Sequence, residues 1–281
     1  MKIFKVISTI TLIVTALIII LPLCMMLGGS FMGEDEIIQS IGKIYGLSKA
    51  EVHWRIIPQY PTFQAFIELL LDTPQFFVMF WNSCKQALLG VLIQLLVSVP
   101  AAWSFARFRF RGKKIIFMIY IILMILPFQV TMVSSYLVLD KFKIMNSHLA
   151  IIVPIVFSTF PVFIMERFFK AIPKSIIEAA RIDGANELQI FFYVGIPIGL
   201  PGIISAGVLS FLEAWNAIEA PLTFLKDKSL WPLSLYLPSI SIDNLGLAMV
   251  SSVIVMLPAI LIFLFGQRYL EKGIVASGIK E

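Results

Sequence analysis

The sequence predicts an all-α membrane protein that crosses the bilayer six times, and three observations carry the prediction. Hydrophobic residues make up 59% of the chain and charged residues 14%, with a mean hydropathy of +0.94, which places most of it in lipid rather than around an aqueous core. The apolar residues run continuously instead of alternating as barrel strands do. Lysine and arginine gather in short loops beside the runs, where they report orientation.

A spanning helix needs about 20 apolar residues to cross roughly 30 Å of hydrocarbon. Six stretches qualify, near 6–27, 76–106, 115–139, 148–166, 196–220 and 244–267. The first follows Lys2 and Lys5 as a signal peptide would, but it is long for one and leaves through Leu27-Gly28-Gly29-Ser30 without a small-x-small cleavage site. Residues 1–27 therefore read as a retained N-terminal tail and span. Residues 28–75 hold Glu34, Asp35, Glu36, Glu51, Glu68 and Asp72, with Pro58, Pro61 and Pro74 as breakers, the pattern of a sizeable polar loop carrying short helices. The core transmembrane domain is 76–267, and 268–281 is a C-terminal tail. With both termini cytoplasmic, 14 Lys and Arg face the cytoplasm and seven face the other side. The strongest vote is the loop with Arg107, Arg109, Arg111, Lys113 and Lys114 and no acid. The 28–75 loop is then extracytoplasmic.

Several function classes fall away. Cys24 and Cys84 lie in apolar runs, so neither a disulfide framework nor a metal site is supported, and His53 and His148 are far apart in sequence. The net charge of +5 is spread over loops beside spans and forms no nucleic-acid patch. No Gly-x-x-x-x-Gly-Lys-Ser/Thr phosphate loop, nucleophile elbow or zinc-protease pair occurs. No catalytic residue, cofactor or metal is expected, and the chain cannot itself hydrolyse ATP.

The polar segment 175–197, inside the cytoplasmic loop 167–195 and its exit, is the most informative part of the chain. Ser175 and Glu178 have the spacing of a capping box, and Gly184 offers a left-handed stop. The helix between them is about two turns, below the roughly 12 residues at which an isolated helix is marginal in water, so it must dock to persist. At 100° per residue Ile176, Ile177, Ala179 and Ala180 share one side, while Glu178 and Arg181 sit opposite, spaced to pair. Asn186 to Tyr193 reads as a second helix leading into the fifth span. Periodicity alone is equally met by an amphipathic loop resting on lipid headgroups.

The residues themselves say more. Glu178-Ala179-Ala180, three residues, Gly184, nine residues and Val194-Gly195-Ile196-Pro197 resemble the Glu-Ala-Ala loop of ABC-importer permeases, with Val194 and Ile196 as conservative departures. Arg181-Ile182-Asp183-Gly184-Ala185-Asn186, the Trp215-Asn216 pair and the closing Gln267-Arg268-Tyr269 and Gly273 are similar to the maltose and multiple-sugar branch. The resemblance covers the second to sixth spans and the tail. It implies the type I ABC importer permease fold, with a coupling helix in which Glu178, Ala179, Ala180, Asp183 and Gly184 seat in a separate ATPase subunit. It also implies a tail, through Gly273, Ser277 and Gly278, that inserts between two ATPase copies. The implied partners are a second permease subunit, the ATPase dimer, which binds ATP and Mg, and an extracytoplasmic solute-binding protein, with membrane lipid around the spans.

A sugar path calls for neutral hydrogen-bonding and aromatic groups, and Asn82, Gln94, Gln129, Trp215 and Asn216 are candidates, together with Glu213. Intramembrane ionisable groups are costly and functional by default, which singles out Lys85, Glu213 and Glu219. Glu213, Asn216 and Glu219 would share one face of the fifth span, whereas a Lys85–Glu219 pair would be purely structural. Where many relatives continue Asp-Phe after the Trp-Asn pair, this chain has Ala217-Ile218-Glu219-Ala220-Pro221. A peptide, amino acid or polyol remains an alternative cargo to a sugar, and an ion-coupled secondary transporter or a membrane scaffold remain alternative mechanisms.

Overall fold

The computed structural model describes the backbone of residues 2–46, 52, 53, 55–236 and 244–278, and the side chains of these except 2, 3 and 272–278. It is helical, with no strand among the described residues. Two compact units divide the chain, Met1–Val78 with Leu235–Pro258, and Met79–Ser234 with Ala259–Glu281.

In the first unit α1 (Lys2–Gly29) is apolar along its length. The hydroxyls of Thr9, Thr11 and Thr15 donate to carbonyls four residues back, at 2.9, 2.9 and 2.8 Å, so these three hydroxyls do not face hydrocarbon unpaired. The loop that follows is organised by two carboxylates. Glu34, first residue of α2 (Glu34–Ile41), accepts the N–H groups of Leu245 and Gly246 at 3.0 and 3.2 Å, where the last long helix begins. The largely buried Glu36 accepts the N–H of Gln59 at 2.6 Å and of Tyr60 at 3.3 Å, with Arg55 at 3.9 Å. Met32, Ile37 and Leu245 pack beneath, and Phe31, Phe63 and Phe66 cluster with ring centroids 5.2–5.9 Å apart. The expected short helices are present in α2 and in a further turn at Gln64–Ile67.

The second unit is a bundle. Helix α3 (Pro74–Arg107), which enters it from the first unit, spans 34 residues with a π turn at Lys85–Leu89. The stretch expected as one straight span at 115–139 is instead two helices, α4 (Lys113–Ile125) and α5 (Phe128–Lys141), meeting at 107°. Pro127 has no N–H to continue the helix, and Leu126 before it is driven to an extended conformation, ψ 125°. Thirteen residues of α4 rise only about 20 Å, short of the hydrocarbon thickness. The fourth span is broken too, into α6 (His148–Val156) and α7 (Phe160–Ala171). Pro161 cannot donate to the carbonyl four residues back, so the ladder lapses at 157–159. Then come α8 (Lys174–Ile182), α9 (Glu187–Trp215), α10 (Glu219–Phe224) and α11 (Leu245–Gly278). Among the described residues five helical segments are thus long and apolar enough to cross a membrane, or six with the bent α4–α5 pair counted as one span.

Two expected boundaries move. The fifth span ends at Trp215, not near 220, and Glu219 opens the separate helix α10. The sixth does not stop at 267: α11 continues unbroken through Gly278, so Gly273, Ser277 and Gly278 have a helical backbone, while their side chains lie outside the described residues.

α7 packs against both α3 and α9. Polar side chains near one end of α3 hold the segment after α10: Asn82 donates to the carbonyls of Ser229 and Trp231 at 2.7 and 3.1 Å, Gln86 to that of Leu230 at 2.9 Å, and Ser83 accepts the Leu233 N–H at 2.6 Å. Asn146, in the turn before α6, accepts the N–H groups of Lys226 and Asp227, both at 2.8 Å. The N–H of Ser229, donated to Asp227 at 2.9 Å, holds that exposed carboxyl below its ordinary range.

Replacing Glu36 with Ala strands the N–H groups of Gln59 and Tyr60. The expected cost is about 1–3 kcal/mol, read as a lowered melting temperature of the purified protein, and Glu36→Gln, which keeps one acceptor oxygen, should lose less.

Candidate functional site

The site is the short helix α8 and its mounting. The chain leaves α7 through Ile172 and Pro173, both extended at ψ 126° and 136°, and turns helical at Lys174. Ser175 therefore lies inside the first turn. The expected Ser175–Glu178 capping box does not form, and no side chain caps this end. The capping box is one turn further on, where Asn186 Oδ1 accepts the Gln189 N–H at 2.9 Å and Gln189 Oε1 accepts the Asn186 N–H at 2.8 Å.

The other end of α8 closes as expected at Gly184, φ 86°. The Ala185 N–H reaches the carbonyl of Ala180 at 3.0 Å and the Gly184 N–H that of Arg181 at 3.1 Å, the paired bonds of a Schellman motif. Ala180 and Ala185 pack on the same apolar cluster, which is the contact this motif favours. A residue with a Cβ at 184 would meet the left-handed penalty.

Which side of α8 faces the protein differs from the sequence-based expectation. Ile177 is 5% exposed and Ala180 partly buried, whereas Ala179 and Ile176 point outward. Arg181 does not pair with Glu178. Its Nε donates to Glu187 Oε1 at 2.9 Å, with Nη2 equally close, which bridges α8 to α9 across the Gly184 turn. Glu178 and Asp183 are exposed and have no ion-pair partner among the described residues. Asp183 is the last residue of α8's turn, where the helix dipole disfavours an anion, so local stability does not account for it. Beside these acids stand Ile182, 86% exposed, and Leu188, 70% exposed.

Beneath α8 lies the cluster that fixes it. Ile177 packs with Trp103, Met165, Phe169, Ile172 and Ile190, and Trp103 meets Phe169 edge-on at 5.4 Å. Arg107, the last residue of α3, donates through Nη2 to the carbonyl of Phe169 and to that of Ile172 at 2.7 Å, and its guanidinium lies 5.6 Å from the Trp103 ring centre. Pro173 has no N–H to give the Phe169 carbonyl its regular helical bond, and that carbonyl accepts the Ile172 N–H at 3.4 Å instead. Glycines on α9 admit the rings: a Cβ on Gly195 would sit 2.7 Å from Trp103 and one on Gly199 2.3 Å from Phe169. Sequence reasoning passed over Arg107 as a topology charge, took Gly195 only as part of the Val194–Pro197 motif and left Gly199 out. Their signal was the four-residue spacing of Gly195 and Gly199 opposite a span holding Trp103.

The candidate path residues fall into two groups. Asn82, Gln94 and Trp215 are buried. Asn82 holds the segment after α10, Gln94 donates to the Ile155 carbonyl at 2.8 Å beside the break in the fourth span, and Trp215 stacks on Phe211 at 5.5 Å. Glu213, Asn216 and Gln129 are exposed. The break after Trp215 takes Glu219 off the face shared by Glu213 and Asn216. Asn216 turns back to donate to the Leu212 carbonyl at 2.8 Å. Glu219 forms no ion pair with Lys85 and accepts from Gln129 at 2.6 Å, joining α10 to the start of α5.

Gly195→Val is expected to overpack Trp103 and to destabilise by about 1–3 kcal/mol. Adding Trp103→Leu should return part of the loss, a non-additivity that thermal melting of the two single variants and the double variant measures.

Comparison with known proteins agrees with this architecture. Residues 94–276 match the model of the binding-protein-dependent transport system inner membrane component family. The chain is 30% identical over 210 residues to the lactose transport system permease protein LacG of Rhizobium radiobacter, covering 74% of this chain and 76% of that one. It is 26% identical over 282 residues to the arabinooligosaccharides transport system permease protein AraQ of Bacillus subtilis, covering 99% and 97%. Among solved structures, a bacterial ABC transporter that imports the acidic polysaccharide alginate superposes with a TM-score of 0.80 at 22% identity, over 95% of this chain and 96% of that one. The methionine transporter MetNI matches with a TM-score of 0.58 over 75% and 98%. The broken fourth span, the short helix closed at Gly184 and the long span α9 that follows it are thus features of a chain that belongs to the binding-protein-dependent transport system inner membrane component family.

Proposed function

We propose that this chain is the permease subunit of an ABC importer, that it forms half of the translocation path for a sugar or oligosaccharide, and that α8 is its coupling helix. The observation behind the proposal is that α8 is too short to persist alone, is anchored by Ile177 and Arg107 to three spans, and still presents Glu178, Ala179, Ile182 and Asp183 outward. A face of uncompensated acids and bare aliphatic carbon on a rigid mount suits a docking surface better than a solvated loop. The sugar cargo is supported by relatives whose names specify lactose and arabinooligosaccharides.

ATP hydrolysis belongs to a separate pair of ATPase subunits, whose closure pushes on α8 of this chain and on the equivalent helix of a second permease. Because α8 is tied to the ends of α3, α7 and α9, the push reaches the spans as a rigid displacement. The path between the two permeases then opens toward an extracytoplasmic binding protein that delivers solute. α8 and both termini are cytoplasmic in this reading, in keeping with the excess of Lys and Arg on that side. Glu213 and Asn216, exposed near the end of the fifth span, are the groups placed to face the path, with the Gln129–Glu219 pair beside them.

Purification of the tagged chain in mild detergent, followed by mass spectrometry of its companions, tests this reading. Wild type should bring down an ATPase and a second permease. Ile182→Lys should lose the ATPase and keep the permease, and Gly184→Asp should do the same. Wild type without any ATPase under gentle conditions would move an ion-coupled mechanism to the front.

A further inference from the structure

We propose that the loop 108–115 is a binding site for the headgroup of an anionic phospholipid. The loop joins the end of α3 to the start of α4, two apolar helices, so it lies where hydrocarbon gives way to water. It holds four cations besides Arg107, which is occupied by the α7 carbonyls. Arg109, Arg111 and Lys114 are exposed, Lys113 is half-buried, and none has an ion-pair partner among the described residues. Lys113 Nζ donates to the Phe108 carbonyl at 3.0 Å, closing the loop on itself.

Charges that merely set topology need no particular shape, but here there is one. Arg109, Phe110, Gly112, Lys113, Lys114 and Ile115 line an open recess of about 490 Å³. Phe110, one of its lining residues, is exposed and rests on Phe105 with centroids 5.9 Å apart. Guanidinium forks and an ammonium suit a phosphodiester, while Phe110 and Ile115 offer an apolar floor to the glycerol and upper acyl carbons. A zwitterionic lipid would bring its own ammonium into the same cluster, which selects against it. This inference does not depend on what α8 docks against.

The test uses the assembled importer in mixed micelles, titrated with phosphatidylglycerol or phosphatidylcholine and read by native mass spectrometry as lipids retained per complex. Wild type should retain phosphatidylglycerol in preference. Neutralising three charges in R109Q/R111Q/K114Q should weaken it about a hundredfold, at roughly fivefold per charge near the surface. Because removing charge can invert topology, F110S/I115S, which keeps every charge, is the second variant, and a severalfold weakening is expected of it. Equal retention of the two lipids by wild type, or wild-type retention by both variants, would overturn the proposal. Displacement of the lipid by inorganic phosphate would assign the recess to free phosphate and overturn the lipid source.

Discussion

The guanidinium of Arg107 holds together the part of the molecule on which the proposed function depends. Where α7 stops, its last carbonyls lose their regular helical donors, and a nonpolar surround would make them expensive if left unpaired. Arg107 reaches across from the end of α3 to two of them, at Phe169 and Ile172, with the Trp103 ring against its flank. Hydrogen bonds to a charged donor contribute roughly 1.5–3 kcal/mol, and here they join the ends of two spans at the point where the chain turns into α8. The Arg181–Glu187 pair makes the next link, to α9, and being exposed it contributes little stability. It sets direction more than strength.

From that anchor the properties of α8 follow. Nine residues form at most a marginal helix in water, so α8 exists because Ile177 is driven into the Trp103–Phe169–Ile190 cluster and because the Schellman bonds at Gly184 close its end. The glycines of α9 let the two rings approach closely enough for the cluster to exist. What remains outward is not what the protein needs for itself: two acids without an ion-pair partner among the described residues, one at the unfavourable end of a helix dipole, and an isoleucine almost fully exposed.

Hydropathy made the spans legible, because length and continuity of apolar carbon are what a bilayer demands. It was blind to direction. The 107° bend at Pro127 was readable from the Leu126-Pro127 dipeptide, yet the surrounding residues are apolar enough to mask it. The end of the fifth span at Trp215 left no such mark, since Ala217 and Ile218 are as hydrophobic as what precedes them. The Gly184 stop was legible because only a residue without a Cβ suits it, while Ser175 and Glu178 matched a cap pattern that Asn186 and Gln189 matched equally well. Burial decided between Ile176 and Ile177, and tertiary structure alone could say which faced Trp103. Polar residues in the spans were ambiguous for the same reason. Asn82 serves carbonyls of the segment after α10 and Gln94 one beside the break in the fourth span, a use that sequence does not distinguish from lining a path.

The central claim is that α8 moves with the ends of the spans as one body. The most direct measurement is the distance between spin labels at Ala179→Cys on α8 and Phe108→Cys at the end of α3, in a Cys24→Ser/Cys84→Ser background, in the assembled transporter with and without trapped nucleotide. The account predicts a single distance that is unchanged between the two states while the complex remains able to cycle. A distance that shifts or broadens on nucleotide trapping would show that α8 swings on its turn at Pro173 and would contradict it.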